Sequence, residues 1–260
     1  MIQVIPVPAL RDNYIWLIRL DGAPAEGPAP AIIVDPGEAP PVLAALATHR
    51  LLPVAMLITH HHPDHVGGVA DLLRHFPIPV HGPAGLRLGS SYHPAREGDE
   101  PSPGGLNLRV LEIPGHTLDH LAYYHDRGLL FCGDTLFTGG CGRLFEGSAR
   151  QMLTALHRLA SLPDETRIHC GHEYTLANLS FALQVEPDNT RLAARLEETR
   201  RQRSLNLVTA SATLAEEKAT NPFLRCHIAA VRQAAERFCD RSLSTELDVF
   251  ATIRHWKDTQ

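Results

Sequence analysis

Thr59-His60-His61-His62-Pro63-Asp64-His65 follows directly on the apolar run Ala55-Met56-Leu57-Ile58. Four strong metal donors, His60, His62, Asp64 and His65, therefore fall at the end of an expected β-strand. Imidazole nitrogens and carboxylate oxygens suit zinc, iron or manganese. Neighbouring side chains of a short extended stretch leave it in different directions, so one tetrahedral ion has room for only some of these donors. The pattern H-x-H-x-D-H points instead to two ions side by side. A His-rich surface turn would carry the same letters, so the reading depends on partners elsewhere in the chain.

Three further segments place a donor beside a glycine after a β-run. His116 follows Leu111-Glu112-Ile113-Pro114-Gly115, Asp134 stands in Phe131-Cys132-Gly133-Asp134-Thr135, and His172 stands in His169-Cys170-Gly171-His172-Glu173. Glycine lets the backbone turn sharply and approach a site closely, and site residues commonly sit on loops held by a rigid scaffold. A lone His after a strand is usually a surface residue, and a lone Asp after Gly a turn former. Recurrence at strand ends gives these three their weight. Seven donors divide between two ions as two three-ligand sets and one carboxylate able to bridge.

With 260 residues, 44% of them hydrophobic and 20% charged, the chain has the balance of a globular protein of one large domain, or of one domain with an appendage. A net charge of -5 offers no bulk attraction to a polyanion, so no nucleic-acid partner is expected. No apolar stretch approaches a membrane span, and the N-terminus lacks the pattern of a signal peptide. The cysteines number five, an odd set without C-x-x-C spacing, which suits a reducing cytoplasm better than a disulfide framework.

Short Val/Ile/Leu-rich runs punctuated by Gly and Pro predict strands at Val4–Val7, Tyr14–Leu20, Ala31–Val34, Ala55–Thr59, Pro79–His81, Leu106–Ile113, Leu121–His125, Leu129–Cys132 and Arg167–Cys170. A turn is expected over Gly22–Pro30. Helices are expected at Pro40–His49, Gly67–Phe76 and Ser148–Leu162, the last with an apolar stripe of Met152, Leu153, Leu156 and Leu159 that reads as core. From about Tyr174 helical composition takes over: Thr175–Glu186, Thr190–Leu205, Asn221–Cys239 and Ser244–Lys257. The expected division is a metal-binding domain over 1–173 and a helical domain over 174–260.

The set T-H-x-H-x-D-H, G-H-T, G-D-T and G-H-E-Y resembles the metallo-β-lactamase superfamily and, within it, the glyoxalase II family of hydroxyacylglutathione hydrolases. Asp12-Asn13-Tyr14, Ile33-Val34-Asp35-Pro36-Gly37, Gly140-Cys141-Gly142-Arg143, His172-Glu173-Tyr174-Thr175 and Asn221-Pro222-Phe223-Leu224-Arg225 extend the likeness along almost the whole chain. The metal motifs specify only the superfamily. The Gly-Cys-Gly-Arg and His-Glu-Tyr-Thr segments and the helical tail point to the narrower family.

The resemblance implies a four-layered αββα sandwich followed by a helical C-terminal domain that completes a glutathione site. It implies one metal on His60, His62 and His116, another on Asp64, His65 and His172, and Asp134 between them. Asp64 and Asp134 are the expected catalytic carboxylates. A hydroxide shared by the ions would attack S-D-lactoylglutathione, giving D-lactate and glutathione, the second step of methylglyoxal detoxification. Two cations lower the pKa of water and clamp reacting oxygens, which suits that role. Zinc is the first expectation, iron and manganese the alternatives. Arg143, Tyr174, Arg254 and Lys257 would hold glutathione; Arg254 and Lys257, three apart, share one helix face. A soluble cytoplasmic monomer is expected, with a small-molecule partner and neither membrane nor nucleic acid.

Phe145 stands where many members have Tyr, Arg143 where some have Lys, and Asp119 where the family usually has Gly. Asp tolerates a left-handed backbone, so Asp119 is expected to keep that turn and to add negative charge near the metals. His61 and His120 are expected to be packing or outer residues rather than ligands. The alternatives are a persulfide dioxygenase or another hydrolase of the superfamily, or a metal- or glutathione-binding protein without turnover.

Overall fold

The computed structural model describes residues 2–21, 27–88 and 90–260. Residues 22–26 of the turn expected over Gly22–Pro30 lie outside that set. The packing forms two compact units, one of residues 1–112 and 119–133, the other of 113–118 and 134–260.

The first unit opens with β1 (Gln3–Ala9), β2 (Asn13–Arg19), β3 (Ala29–Val34), α1 (Ala39–Thr48) and β4 (Leu51–Leu57). It continues with the single turn α2 (Pro63–Val66), α3 (Val69–His75), β5 (Val80–Pro83), β6 (Tyr92–Ala95), β7 (Arg109–Glu112), β8 (Leu121–His125) and β9 (Leu129–Gly133). Strands β1 to β6 form one sheet in chain order, antiparallel as far as β3 and parallel beyond it. β2 is buried at six consecutive positions and β3 at five of six. That is the burial of strands covered on both faces, and it suits the continuous apolar runs 14–18 and 31–34. β7, β8 and β9 form an antiparallel meander. β8 is tied to the loop after β4, because Leu121 N–H donates to Thr59 O at 2.8 Å. Tyr123 Oη, fully buried, donates to Ile58 O at 2.9 Å.

The second unit holds the two-residue strands β10 (Leu136–Phe137) and β11 (Gly140–Cys141), α4 (Ala149–Ala160), β12 (Arg167–Cys170), α5 (Thr175–Val185), α6 (Thr190–Ser204), β13 (Ser211–Thr213), α7 (Leu214–Thr220), α8 (Ala229–Cys239) and α9 (Glu246–Asp258). α4 starts at a Ser148–Gln151 capping box and buries the expected stripe of Met152, Leu153, Leu156 and Leu159.

The structure corrects several expectations. The helix expected over Asn221–Cys239 is a 3-10 turn at Pro222–Leu224, a break, and then α8. Asn221 ends the preceding helix: its Nδ2 donates to Gly140 O at 2.9 Å and to Glu217 Oε2 at 2.8 Å, and its Oδ1 accepts from Phe223 N–H. α7, with a Thr213–Glu216 capping box, and the short strands β6 and β13 carry too weak a pattern to be read in advance. The helix expected over Gly67–Phe76 starts earlier, as the α2 turn at Pro63, so Asp64 and His65 sit on helix rather than loop. Asp119 is not among the left-handed residues; its carboxylate bonds His61 Nδ1 at 3.0 Å.

Candidate metal and substrate site

In the first unit the turn α2 folds the donors of the loop after β4 back on themselves. His60 Nε2 and His62 Nδ1 lie 3.1 Å apart, and His65 Nε2 lies 3.6 Å from Asp64 Oδ2. Two ligand atoms on one tetrahedral ion, each about 2.1 Å from it, stand roughly 3.4 Å apart. Both pairs have that spacing.

A single buried carboxylate sets the tautomers of His65 and, through Thr59, of His60. Asp35 Oδ1 accepts from Thr59 N–H at 2.7 Å, and Asp35 Oδ2 accepts from Thr59 Oγ1 at 2.6 Å. The same Oδ2 lies 3.0 Å from His65 Nδ1. A carboxylate only accepts, so His65 carries its proton on Nδ1 and presents a lone pair at Nε2. Thr59 has given its hydrogen to Asp35, so its Oγ1 accepts from His60 Nδ1 at 3.0 Å, and the His60 lone pair is also at Nε2. Asp35 reaches this position with a left-handed backbone, φ 50°, which Asp adopts more readily than most residues. Asn13 Nδ2 steadies Asp64 Oδ2 at 2.9 Å. Gly37 is required by close approach, since a Cβ there would lie 2.0 Å from Asp64 O. His120 is fully buried and stacks on His60 at 4.5 Å, a packing role as expected.

The second unit brings the other three donors together. Asp134 Oδ2 lies 3.1 Å from His172 Nε2 and 3.5 Å from His116 Nε2. His116 Nδ1 donates to Arg143 O at 2.8 Å, so its Nε2 also presents a lone pair. Gly142 is another close approach: a Cβ would meet Asp134 O at 1.9 Å. His116 Nε2 and Asp134 Oδ2 thus face each other as two acceptors, as do His65 Nε2 and Asp64 Oδ2. A cation turns such pairs from repulsive to attractive. The donor set fits divalent metal, and each of the seven residues belongs to a His/Asp group able to hold an ion.

The residues expected to hold glutathione all lie in the second unit, and they differ in kind. Tyr174 stacks on His172 with ring centroids 4.7 Å apart and is 37% exposed. Phe145, 62% exposed, sets its edge on His116 at 5.2 Å. Arg143 is open to solvent and its Nε bonds Asp258 Oδ1 at 3.2 Å. Arg254 is buried: Nη1 donates to Cys141 O at 2.9 Å, Nη2 donates to Asp258 Oδ1 at 3.0 Å, and the guanidinium lies over Phe223. Lys257 Nζ donates to Asn178 Oδ1. Burial pushes the Lys257 ammonium down to about 8, with Arg254 adding to the effect and Cys141 and Asp258 opposing it. An ordinary solvated basic face would show none of this.

Asp35, Thr59, Asn178 and Asp258 were not singled out in the sequence as site residues. The signal for Asp35 is an Asp-Pro-Gly directly after a fully apolar strand. Burial pushes the Cys170 thiol up to about 12 and raises those of Cys141 and Cys226, so these thiols are not poised as nucleophiles.

Two family models together account for nearly all of the chain: the metallo-beta-lactamase superfamily over residues 10–172 and the hydroxyacylglutathione hydrolase C-terminus over residues 173–260. The hydroxyacylglutathione hydrolase of Alkalilimnicola ehrlichii is 52% identical over 99% of this chain and 99% of its own. The chain belongs to the hydroxyacylglutathione hydrolase family. The hydroxyacylglutathione hydrolase of Nitrosomonas europaea is 48% identical over 99% of this chain and 96% of its own. Among solved structures, TTHA1623 in a di-iron-bound form matches with TM-score 0.59 and 29% identity, over 85% of this chain and 100% of that one. The fold of this family member is therefore of metallo-β-lactamase type, with a helical C-terminal part.

Proposed function

We propose that the chain hydrolyses the thioester S-D-lactoylglutathione to D-lactate and glutathione. The observation that carries the reading is the match of residues 173–260 to the hydroxyacylglutathione hydrolase C-terminus, the segment that includes Tyr174, Arg254 and Lys257. In this reading His60, His62 and His116 hold one divalent ion, Asp64, His65 and His172 hold a second, and Asp134 serves both. The tautomers set by Asp35, Thr59 and the Arg143 carbonyl support it, since each leaves a lone pair for metal. Zinc is the proposed metal because imidazole and carboxylate donors suit it; iron is the alternative, as in the di-iron form of the solved relative. A divalent pair lowers the pKa of water toward neutrality and polarises a carbonyl oxygen.

The chain's own residues do the rest. Asp35 fixes two imidazoles, so little reorganisation is left for the reaction. Arg143, Tyr174, Arg254 and Lys257 form the proposed glutathione seat, Arg143 offering a planar fork for a carboxylate. The glutathione thiolate is a tolerable leaving group, so no dedicated acid is needed. The domain roles follow: 1–173 as the hydrolase domain and 174–260 completing the glutathione site. No helix among the described residues is long and apolar enough to cross a membrane. Five free thiols support a reducing, cytoplasmic setting, and a monomer is the proposed state. Thioester hydrolysis and metal content measured on the same sample test the proposal. About two ions per chain with turnover is the expected result; a metal-loaded protein that leaves the thioester intact would overturn it.

A further inference from the structure

One feature of the proposed glutathione seat is not accounted for by metal or substrate binding. Asp258 Oδ1 accepts from two guanidinium groups, Arg143 at 3.2 Å and Arg254 at 3.0 Å. Guanidinium groups are the donors proteins use to grip carboxylate ligands, and here the chain itself supplies a carboxylate to two of them. Asp258 is the last residue of α9, where the helix dipole favours cations and disfavours anions. Within the helix Asp258 has its i,i+4 pair with Arg254, and the bond to Arg143 lies beyond what that pair requires. Arg254 is also held by Cys141 O and Phe223, while Arg143 is 59% exposed and its side chain is held at Nε by Asp258. Asp258 itself is 30% exposed, within reach of solvent and of an incoming anion.

We propose that Asp258 is a built-in competitor for the substrate's carboxylates, setting the affinity of the glutathione seat by occupying Arg143 and Arg254. The inference rests on the proposed function. A glutathione thioester brings carboxylates that must displace Asp258 from Arg143 or bind beside its negative charge. Either way binding is weakened remotely from the thioester carbon, in ground state and transition state alike. Such a uniform effect moves KM and leaves kcat alone. Free glutathione carries the same carboxylates, so Asp258 weakens product by the same factor and opposes product retention.

The test is Asp258→Asn, which keeps the shape and an accepting oxygen and removes the charge. KM for S-D-lactoylglutathione is expected to fall about three- to tenfold at low salt, as suits one partly screened charge a few ångströms away. The inhibition constant of free glutathione should fall by the same factor and kcat should stay within about twofold. Raising the salt should shrink the gap between variant and parent. Asp258→Ser, assayed well below its melting range, should move KM the same way and decides the matter if the Asn variant folds poorly. In an Arg143→Ala background the Asn substitution should lose most of its effect, because the pair is coupled. A KM that rises or does not move, in a protein whose parent turns the thioester over, overturns this inference and leaves the hydrolase reading intact. A parent without thioesterase activity overturns both.

Discussion

The donor loop after β4 and the cation cluster on the last helix both gather like groups that would repel one another if left alone, and they solve the problem differently. The donor loop collects histidines and an aspartate within seven residues and orients them with one carboxylate, Asp35, fully inside the first unit. Its side chains are posed so that their lone pairs face one another, which leaves the offsetting charge to an ion. The cation cluster draws Arg143, Arg254 and Lys257 from across more than a hundred residues and carries its own anion, Asp258. One region leaves its offsetting charge to an ion; the other is already neutralised in part by a carboxylate of its own. The difference teaches that like groups can be gathered either by leaving their lone pairs for a cation or by folding a counter-charge in among them.

The comparison breaks first if the donor loop works without metal. Removing the ions with a chelator should cost on the order of 10³-fold or more in thioester hydrolysis, restored by adding Zn²⁺, because the chain has no substitute for the lowered pKa of water. Retained turnover in a sample shown to be metal-free would sink the account. Glu217→Gln tests the support beneath the cluster. Glu217 is fully buried, pairs with Arg195 and accepts from Gly139 N–H at 2.8 Å, holding the β10–β11 turn that leads to Arg143. Breaking a buried pair from one side costs about 3 kcal/mol or more, to be read as a lower denaturation midpoint. An unchanged midpoint would mean that the turn is held by Asn221 and Asn178 alone.

Asp35→Asn should lower metal affinity and turnover by about 10- to 100-fold, the usual weight of a carboxylate behind a ligating imidazole. Metal titration followed by rate measurement separates the two effects. A smaller and sharper probe is pH. The Lys257 ammonium lies near 8, below the ordinary lysine value, so its charge is fully present below that pH and is lost as pH rises through it. Anion binding should weaken over the same range, giving kcat/KM an alkaline limb near pH 8. In Lys257→Met that limb should vanish and KM at neutral pH should rise about five- to tenfold. A limb that survives the substitution belongs to another group. For folding the sign is the reverse: the unfolded lysine binds its proton more tightly, so stability should rise with pH above the folded value.

Much of the fold was legible from local patterning. The strands β1 to β5, the α4 stripe and the helical character after Tyr174 follow from short apolar runs and helical spacing that neighbouring residues carry. What was not legible depended on partners far away. Asn221 looks like a helix residue in sequence and ends the helix because Gly140 and Glu217 claim its side chain. Asp119 looks like a replacement for glycine and instead serves as a partner for His61. Arg254 reads as a cation sharing one helix face with Lys257 and is buried against Phe223. In each case a side chain is claimed by a residue the chain pattern does not point to.

By itself, the sequence determined the chemistry of the donors, their spacing after β4 and the family they belong to, because metal ligation needs particular atom types at short, fixed intervals. Only the tertiary structure decided which nitrogen of His60, His65 and His116 bears the proton and which cations share a carboxylate. Those follow from hydrogen-bond partners brought together by folding: Asp35 behind His65, the Arg143 carbonyl behind His116, and Asp258 across Arg143 and Arg254.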